Sequence, residues 1–183
     1  PMVESSYALS KYIAAKNKVY DSSSTQKPKF LFNLETHNTF KNLKEMVVQA
    51  LVENGADGIV FGRGDYTQSR GMKRTEVDHD VITADCLEVA KACKDNNLEL
   101  VVGGGVSTSS AAALGKINDT FLTRFETRKV IFSSEALNSN DIEHKLEQAL
   151  KFELLWLKNK QEHYFVIAQE DSKRIKILEE RVN

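Results

Sequence analysis

The chain has 183 residues, 41% of them hydrophobic and 28% charged, with 25 Lys and Arg set against 26 Asp and Glu. That is enough apolar material for one domain with a sizeable core, and the near-neutral balance gives no electrostatic footprint for nucleic acid. No apolar run approaches the roughly 20 residues that cross a bilayer, and no signal peptide opens the sequence, so no membrane partner and a cytoplasmic location are expected.

Pro1-Met2-Val3 reads as the tail of a strand, and Tyr7 to Lys16 has helical apolar spacing. Asp21 to Gln26 is a polar, flexible loop, and Pro28 precedes the strand Phe30 to Leu34. Residues 41–54 form a helix with Leu43, Met46, Val47, Ala50 and Leu51 on one face, and Gly55 terminates it. The strand Gly58 to Phe61 runs into loop residues 62–77, polar and glycine-rich enough to predict no regular structure. A helix over about Asp80 to Asn96 carries both cysteines, Cys86 and Cys93. Two helical turns separate them by about 10 Å, so they cannot pair within the helix and are expected as free thiols filling the core of a protein in a reducing compartment.

The strand Leu98 to Val102 ends on Gly103-Gly104-Gly105, and Ser107 to Lys116 reads as a helix with an N-capping start. Residues 118–127 are ambiguous. Lys129 to Phe132 is the last predicted strand, ending on Ser133-Ser134-Glu135. Asn140-Asp141 cap a helix through about Gln161, and Ser172 to Arg181 forms another, with Trp156 in an apolar cluster suited to a packing or subunit face. The division expected is 1–138 for the β/α part and 139–183 for a C-terminal helical extension that mediates packing or homo-oligomerisation.

Strands alternating with helices predict a parallel sheet with crossover helices, which fits a doubly wound sheet or a TIM barrel. If the strands are parallel neighbours, Glu35 after the first long strand and Asp65 after the second point into one mouth. Two carboxylates there, beside glycines that free backbone N–H groups, suit a divalent cation and an anionic ligand. The acidic and glycine-rich ends recur at each strand, as in a barrel. Five strands cannot close eight, and the chain opens as if inside a strand, so a barrel lacking about three N-terminal β-α units is expected.

Asn33-Leu34-Glu35-Thr36 and Gly62-Arg63-Gly64-Asp65, with Pro1-Met2-Val3-Glu4-Ser5 before them, resemble the strand ends of the phosphoenolpyruvate/pyruvate barrel superfamily. Within it they are most similar to the HpcH/HpaI aldolase and citrate lyase β-subunit group. The resemblance runs from the first residue to about Glu135. It implies that Glu35 and Asp65 hold Mg²⁺ or Mn²⁺. It also implies carbon–carbon lyase or aldolase chemistry on a 2-oxo acid or a CoA thioester, through an enolate. Asp57-Gly58-Ile59-Val60 also resembles pyruvate kinase, but Asn33 stands where that enzyme needs a lysine, which argues against phosphoryl transfer.

Around the metal pair, Thr36, Gly62, Gly64, Gly104 and Gly105 are expected to contact substrate, with Asp65 doing so as well as holding the metal. Arg63 either reaches the substrate or pairs with an acid. His37 is either a proton shuttle or a loop histidine. The Gly103–Gly105 run is either a phosphate cradle or a tight turn. The second reading of the chain is a non-catalytic assembly or regulatory domain that retains the metal signature.

Overall fold

In the computed structural model, which describes residues 2–20 and 28–182, alternating short apolar runs and helices build one five-stranded sheet. Its strands are Leu31–Leu34 (β1), Gly58–Gly62 (β2), Glu99–Gly103 (β3), Arg124–Glu126 (β4) and Ile131–Ser133 (β5), hydrogen-bonded in that order. Strands β1 to β3 are parallel, as expected, β4 joins them in parallel from within the stretch left ambiguous, and Met2 makes a parallel bridge to Asn33 on the far side of β1. The polar loop predicted over Asp21 to Gln26 lies outside the described residues.

The helices are Ser6–Val19 (α1), His37–Lys41 (α2), Leu43–Ala50 (α3), Arg63–Ser69 (α4), Asp80–Asp95 (α5), Ala111–Thr120 (α6) and Ile142–Val182 (α7). Short 3-10 turns at Arg74–Glu76, Thr108–Ser110 and Ser134–Asn138 link them. No helix among the described residues is long and apolar enough to cross a membrane.

Strand periodicity sorts the sheet into two faces. Phe32, Leu34, Ile59, Phe61, Leu100, Val102 and Phe125 point one way and share a single core with Leu9, Ile13, Met46, Ile82, Cys86, Val89, Leu114 and Ile117 from the helices. Asn33, Val60, Val101 and Arg124 lie in register on the opposite face. A doubly wound sheet buries both faces under helices and reads apolar on each. Here the second face is polar at both outer strands. Cys86 and Cys93 are buried free thiols, each pushed up to about 12 chiefly by burial, which suits core packing and not nucleophilic work.

Three expectations are corrected. The strand over Lys129 to Phe132 is antiparallel, pairing Arg124 with Ser133 and Glu126 with Ile131. Only residues 127–130 separate it from β4, far short of the dozen or so that a parallel crossover needs. Thr127 N–H instead donates to Val130 O at 3.0 Å, and Val130 N–H to Thr127 Oγ1 at 3.1 Å, closing a tight turn. Ser133-Ser134-Glu135 is thereby carried away from the parallel strand ends.

The second correction is helix α4, inside the stretch expected to lack regular structure. Its polarity is absorbed locally: Thr67 Oγ1 donates to Arg63 O at 2.7 Å, while Tyr66 is fully buried with its ring 4.7 Å from that of Phe61. The third is α7, one continuous helix of 41 residues where two were expected. Neither glycine nor proline interrupts residues 142–182. Its first turns bury Leu146 and Ala149, and beyond Glu153 every residue is exposed.

Phe125 is fully buried and stacks on Phe132 at 5.0 Å, joining the parallel sheet to the reversed strand. Phe125→Ala should cost about 3–5 kcal/mol in urea unfolding. A loss under about 1 kcal/mol would show that the hairpin is not packed into the core.

Candidate functional site

The register brings one layer of residues to the C-terminal rim of the parallel strands. Gly62 pairs with Gly103, Leu34 with Phe61 and Val102 with Phe125, so Glu35, Gly62, Gly103 and Glu126 follow one another across the sheet. At the usual strand spacing the two glutamates start about 14 Å apart. Both lean inward over the glycines. A Cβ on Gly62 would stand 2.5 Å from Glu35 Oε1, and one on Gly103 would stand 3.3 Å from Glu126 Oε1. Alanine at position 62 would drive Glu35 out of the mouth.

The resulting cavity, of about 260 Å³, is lined by Asn33, Glu35, Val60, Gly62, Gly64, Asp65, Arg74, Gly103, Gly104 and Glu126. Asp65 enters from the first turn of α4, with Arg74 Nη1 3.9 Å from its Oδ1. Three carboxylates and one guanidinium therefore face one space, an excess of negative charge that suits a cation while Arg74 remains for an anionic group. Burial holds the Glu126 carboxyl above the usual carboxylate range, with Arg124 pulling the other way. Glu126 thus keeps its proton to higher pH than an exposed glutamate does.

Among the described residues no three His, Cys, Asp or Glu side chains converge as a metal cluster. Glu35 and Asp65 can supply hard oxygens as a pair, a donor set that fits Mg²⁺ or Mn²⁺ when ligand and water supply the remaining positions.

Of the residues expected at the site, Glu35, Asp65, Gly62, Gly64 and Gly104 line this cavity. Four do not. Arg63 is 1% exposed and turns away beneath the strand ends, where it pairs with Asp78, donates to Ser110 Oγ at 3.3 Å and approaches Gly103 O at 3.4 Å. Its ion-pair alternative is the one found. His37 stacks on Phe40 and sets its Nδ1 3.5 Å from Tyr66 Oη, within the helical layer. Burial, then Arg70 and Lys41, push its imidazole below the ordinary histidine value. Thr36 caps α2, accepting from Thr39 N–H at 3.2 Å and donating to Glu4 Oε1 at 2.6 Å.

Gly105 lines an adjoining cavity of about 400 Å³ with Gly104, Arg74, Val106, Glu126, Thr127, Arg128, Leu150 and Glu153. The glycine run itself is a tight turn. Gly104 has φ +80°, and a Cβ there would lie 2.5 Å from Gly64 N, so the β3 end packs directly on the start of α4.

Sequence reasoning missed Glu126 and Arg74. Glu126 ends a three-residue strand with a single buried side chain, inside the stretch left ambiguous. The polar-apolar-polar run Arg124-Phe125-Glu126 after a helix was the available signal. Arg74 lies in the segment expected to lack regular structure, and nothing local marks it.

An acidic, glycine-floored mouth at the ends of parallel strands, with helices banked on one face, is an arrangement of α/β enzymes. Residues 1–113 match the HpcH/HpaI aldolase/citrate lyase family, and the chain belongs to that family. Similar solved structures include an HpcH/HpaI aldolase/citrate lyase family protein from Burkholderia cenocepacia J2315, at 11% identity and TM-score 0.53 over 69% of this chain and 56% of that one. An HpcH/HpaI aldolase from Desulfitobacterium hafniense DCB-2 aligns at 12% identity and TM-score 0.51, over 69% and 55%. Citrate synthase SbnG aligns at 13% identity and TM-score 0.54, over 88% and 62%. The chain thus spans between 55% and 62% of the length of these structures, and at such identities the likeness is one of fold. No curated protein compared with the chain matches it.

Arg63→Ala would strand Asp78 without its buried partner and should cost about 3 kcal/mol in denaturant unfolding. If stability held while ligand binding at the mouth collapsed, Arg63 would be a ligand contact and not an anchor.

Proposed function

We propose that the chain is a divalent-metal-dependent carbon–carbon lyase or aldolase, acting on a 2-oxo acid or an acyl-CoA at the rim cavity. The observation that carries this reading is the convergence of Glu35 and Asp65 on one glycine-floored mouth, opposite Glu126. Family membership supports the lyase class. The one-sided cover of helices supports a β/α barrel arc, in which the polar face turns inward.

Mg²⁺ or Mn²⁺ held by Glu35 and Asp65 would supply Lewis-acid stabilisation of the charge that develops on the substrate carbonyl oxygen. The rest falls to the protein. Arg74 offers a planar fork to the substrate carboxylate, at the edge of the cavity and beside Asp65. Gly62, Gly64, Gly103 and Gly104 leave the floor open, so substrate oxygens can approach the carboxylates. Glu126 is the proton carrier. In the cleavage direction it accepts the proton of the hydroxyl on the carbon being released. The bonding pair of the broken carbon–carbon bond passes to the enolate, and Glu126 returns the proton to the enolate carbon. The adjoining cavity, reached past Arg74 and Glu126 and edged by Arg128, gives a distal substituent room.

Glu35→Gln and Asp65→Asn should each abolish Mn²⁺ binding in calorimetry, and unchanged affinity in both would remove the pair from the site. Glu126→Gln should retain Mn²⁺ binding and lower turnover of an oxo-acid substrate by about 10²-fold or more. Because the carboxyl must be ionised to accept a proton, the wild-type rate should rise with pH along a limb set above the usual glutamate range. That limb should vanish in Glu126→Gln; a limb that persisted would assign proton transfer elsewhere.

A further inference from the structure

Beyond the body of the molecule, α7 carries an apolar seam that no other described residue covers. Leu154, Leu157, Tyr164, Ile175, Leu178 and Val182 are each between 45% and 86% exposed. With Gln161, Ala168 and Asp171 they recur at alternating intervals of three and four residues over about 42 Å of helix, the spacing of a coiled-coil core. A solitary helix gains nothing from such a seam. We propose that this arm forms an antiparallel two-stranded coiled coil with a second copy of the chain. The proposal stands apart from the lyase reading.

Sequence complementarity selects the occupant and its direction. In the antiparallel arrangement with a two-fold axis level with Val166, facing seam positions sum to 332, and facing flank positions sum to 330 on one side and 334 on the other. Leu154 then meets the partner's Leu178, and Leu157 meets the partner's Ile175. The two polar seam residues find each other: the Gln161 amide can donate to the partner's Asp171 carboxylate. Small Ala168 faces large Tyr164 of the partner subunit. At the flanks Phe165 meets its own copy and Ile167 meets its own copy, placing the most apolar stretch of the arm on the axis. Glu153 faces the partner's Arg181, and Lys151 faces the partner's Glu179. One like-charge pair remains, Lys160 against the partner's Arg174, at a solvent-washed flank where it costs little.

The parallel alternative is poorer on the same residues. It sets Asp171 against its own copy within the seam, desolvating two like charges. It also leaves Phe165 facing Lys160 and Ile167 facing Ser172. The antiparallel register further brings Val182 and Arg181 of the partner subunit over Leu150 and Glu153, which edge the second cavity. Each copy would thus close one side of the other's cavity.

The full chain should be a dimer in light scattering at micromolar concentration, and a monomer there would overturn the proposal. Ile175→Lys, at a residue exposed in the single chain, should raise the dissociation constant at least tenfold, as expected for a charge placed in an apolar core, without changing the circular dichroism of the body. A dimer untouched by that change would put the interface elsewhere. For direction, Gln161→Cys and Asp171→Cys chains mixed under mild oxidation should form a disulfide-linked mixed dimer, while neither variant links to itself. The native thiols Cys86 and Cys93 are buried and silent in this assay. Self-linking of Asp171→Cys alone would establish the parallel form and overturn the inferred arrangement.

Discussion

The buried guanidinium of Arg63 is the constraint on which the mouth depends. It stands at the junction of β2 and α4, and its partner Asp78 precedes α5. Asp78 also accepts from Ser109 Oγ at 3.1 Å and Ser110 Oγ at 2.9 Å, at the turn that starts α6. Arg63 Nε reaches the carbonyl of Gly103 at the end of β3. One ion pair and its hydrogen bonds therefore tie together the β2–α4 junction, the approach to α5 and the β3–α6 connection. A charge buried to this degree is tolerable only because each of its three nitrogens has a partner, and removing any one of them leaves an uncompensated group. Loops that would otherwise move independently are held in one geometry.

That geometry matters because the rim is built from absences. Gly62 and Gly103 sit side by side on the central strands, and the flanking glutamates fill the space that side chains there would occupy. Gly104 then lets the β3 end close onto the first residues of α4, where Asp65 is carried. Backbone packing without side chains is inexpensive in volume and costly in chain entropy. The anchoring network below it supplies the order that the glycines give up. The groups that face the cavity and the groups that order its loops are thus different residues: carboxylates above, a guanidinium and serines below.

How far this could be read beforehand depended on whether the signal was local. Parallel strands β1 to β3, helices α1, α3, α5 and α6 and the approach of Glu35 and Asp65 to one mouth follow from apolar period and from the residues at each strand end, so they were legible. Arg63 has the same local context as a substrate-facing arginine. Only the position of Asp78, fifteen residues on and brought back by a 3-10 turn, turns it inward. Glu126 was hidden because β4 is only three residues long and pairs with β3 through Arg124 and Phe125 alone. The continuity of α7 was missed over residues 162–171, where the bunched Tyr164 to Ile167 and the polar Gln169-Glu170-Asp171 read as a break in apolar period yet contain nothing that stops a helix.

The reversal at Thr127–Val130 decides which acid completes the rim. A parallel fifth strand would have delivered Glu135 there; the tight turn instead ends the run of parallel strands at β4 and leaves the Glu126 side chain at the rim, partly desolvated beside Gly103. Lys129, at the tip of the same turn, lays its ammonium 3.6 Å above the ring of Trp156 on α7. The first exposed turn of the long helix is therefore tied to the residue next but two from the rim carboxylate. A helix of this length acts as a stiff lever, and a cation over an indole is among the stronger contacts available to an exposed lysine. The root of α7 and the Thr127–Val130 turn that follows Glu126 are thereby in direct contact, outside the sheet that pairs Glu126 with Ile131.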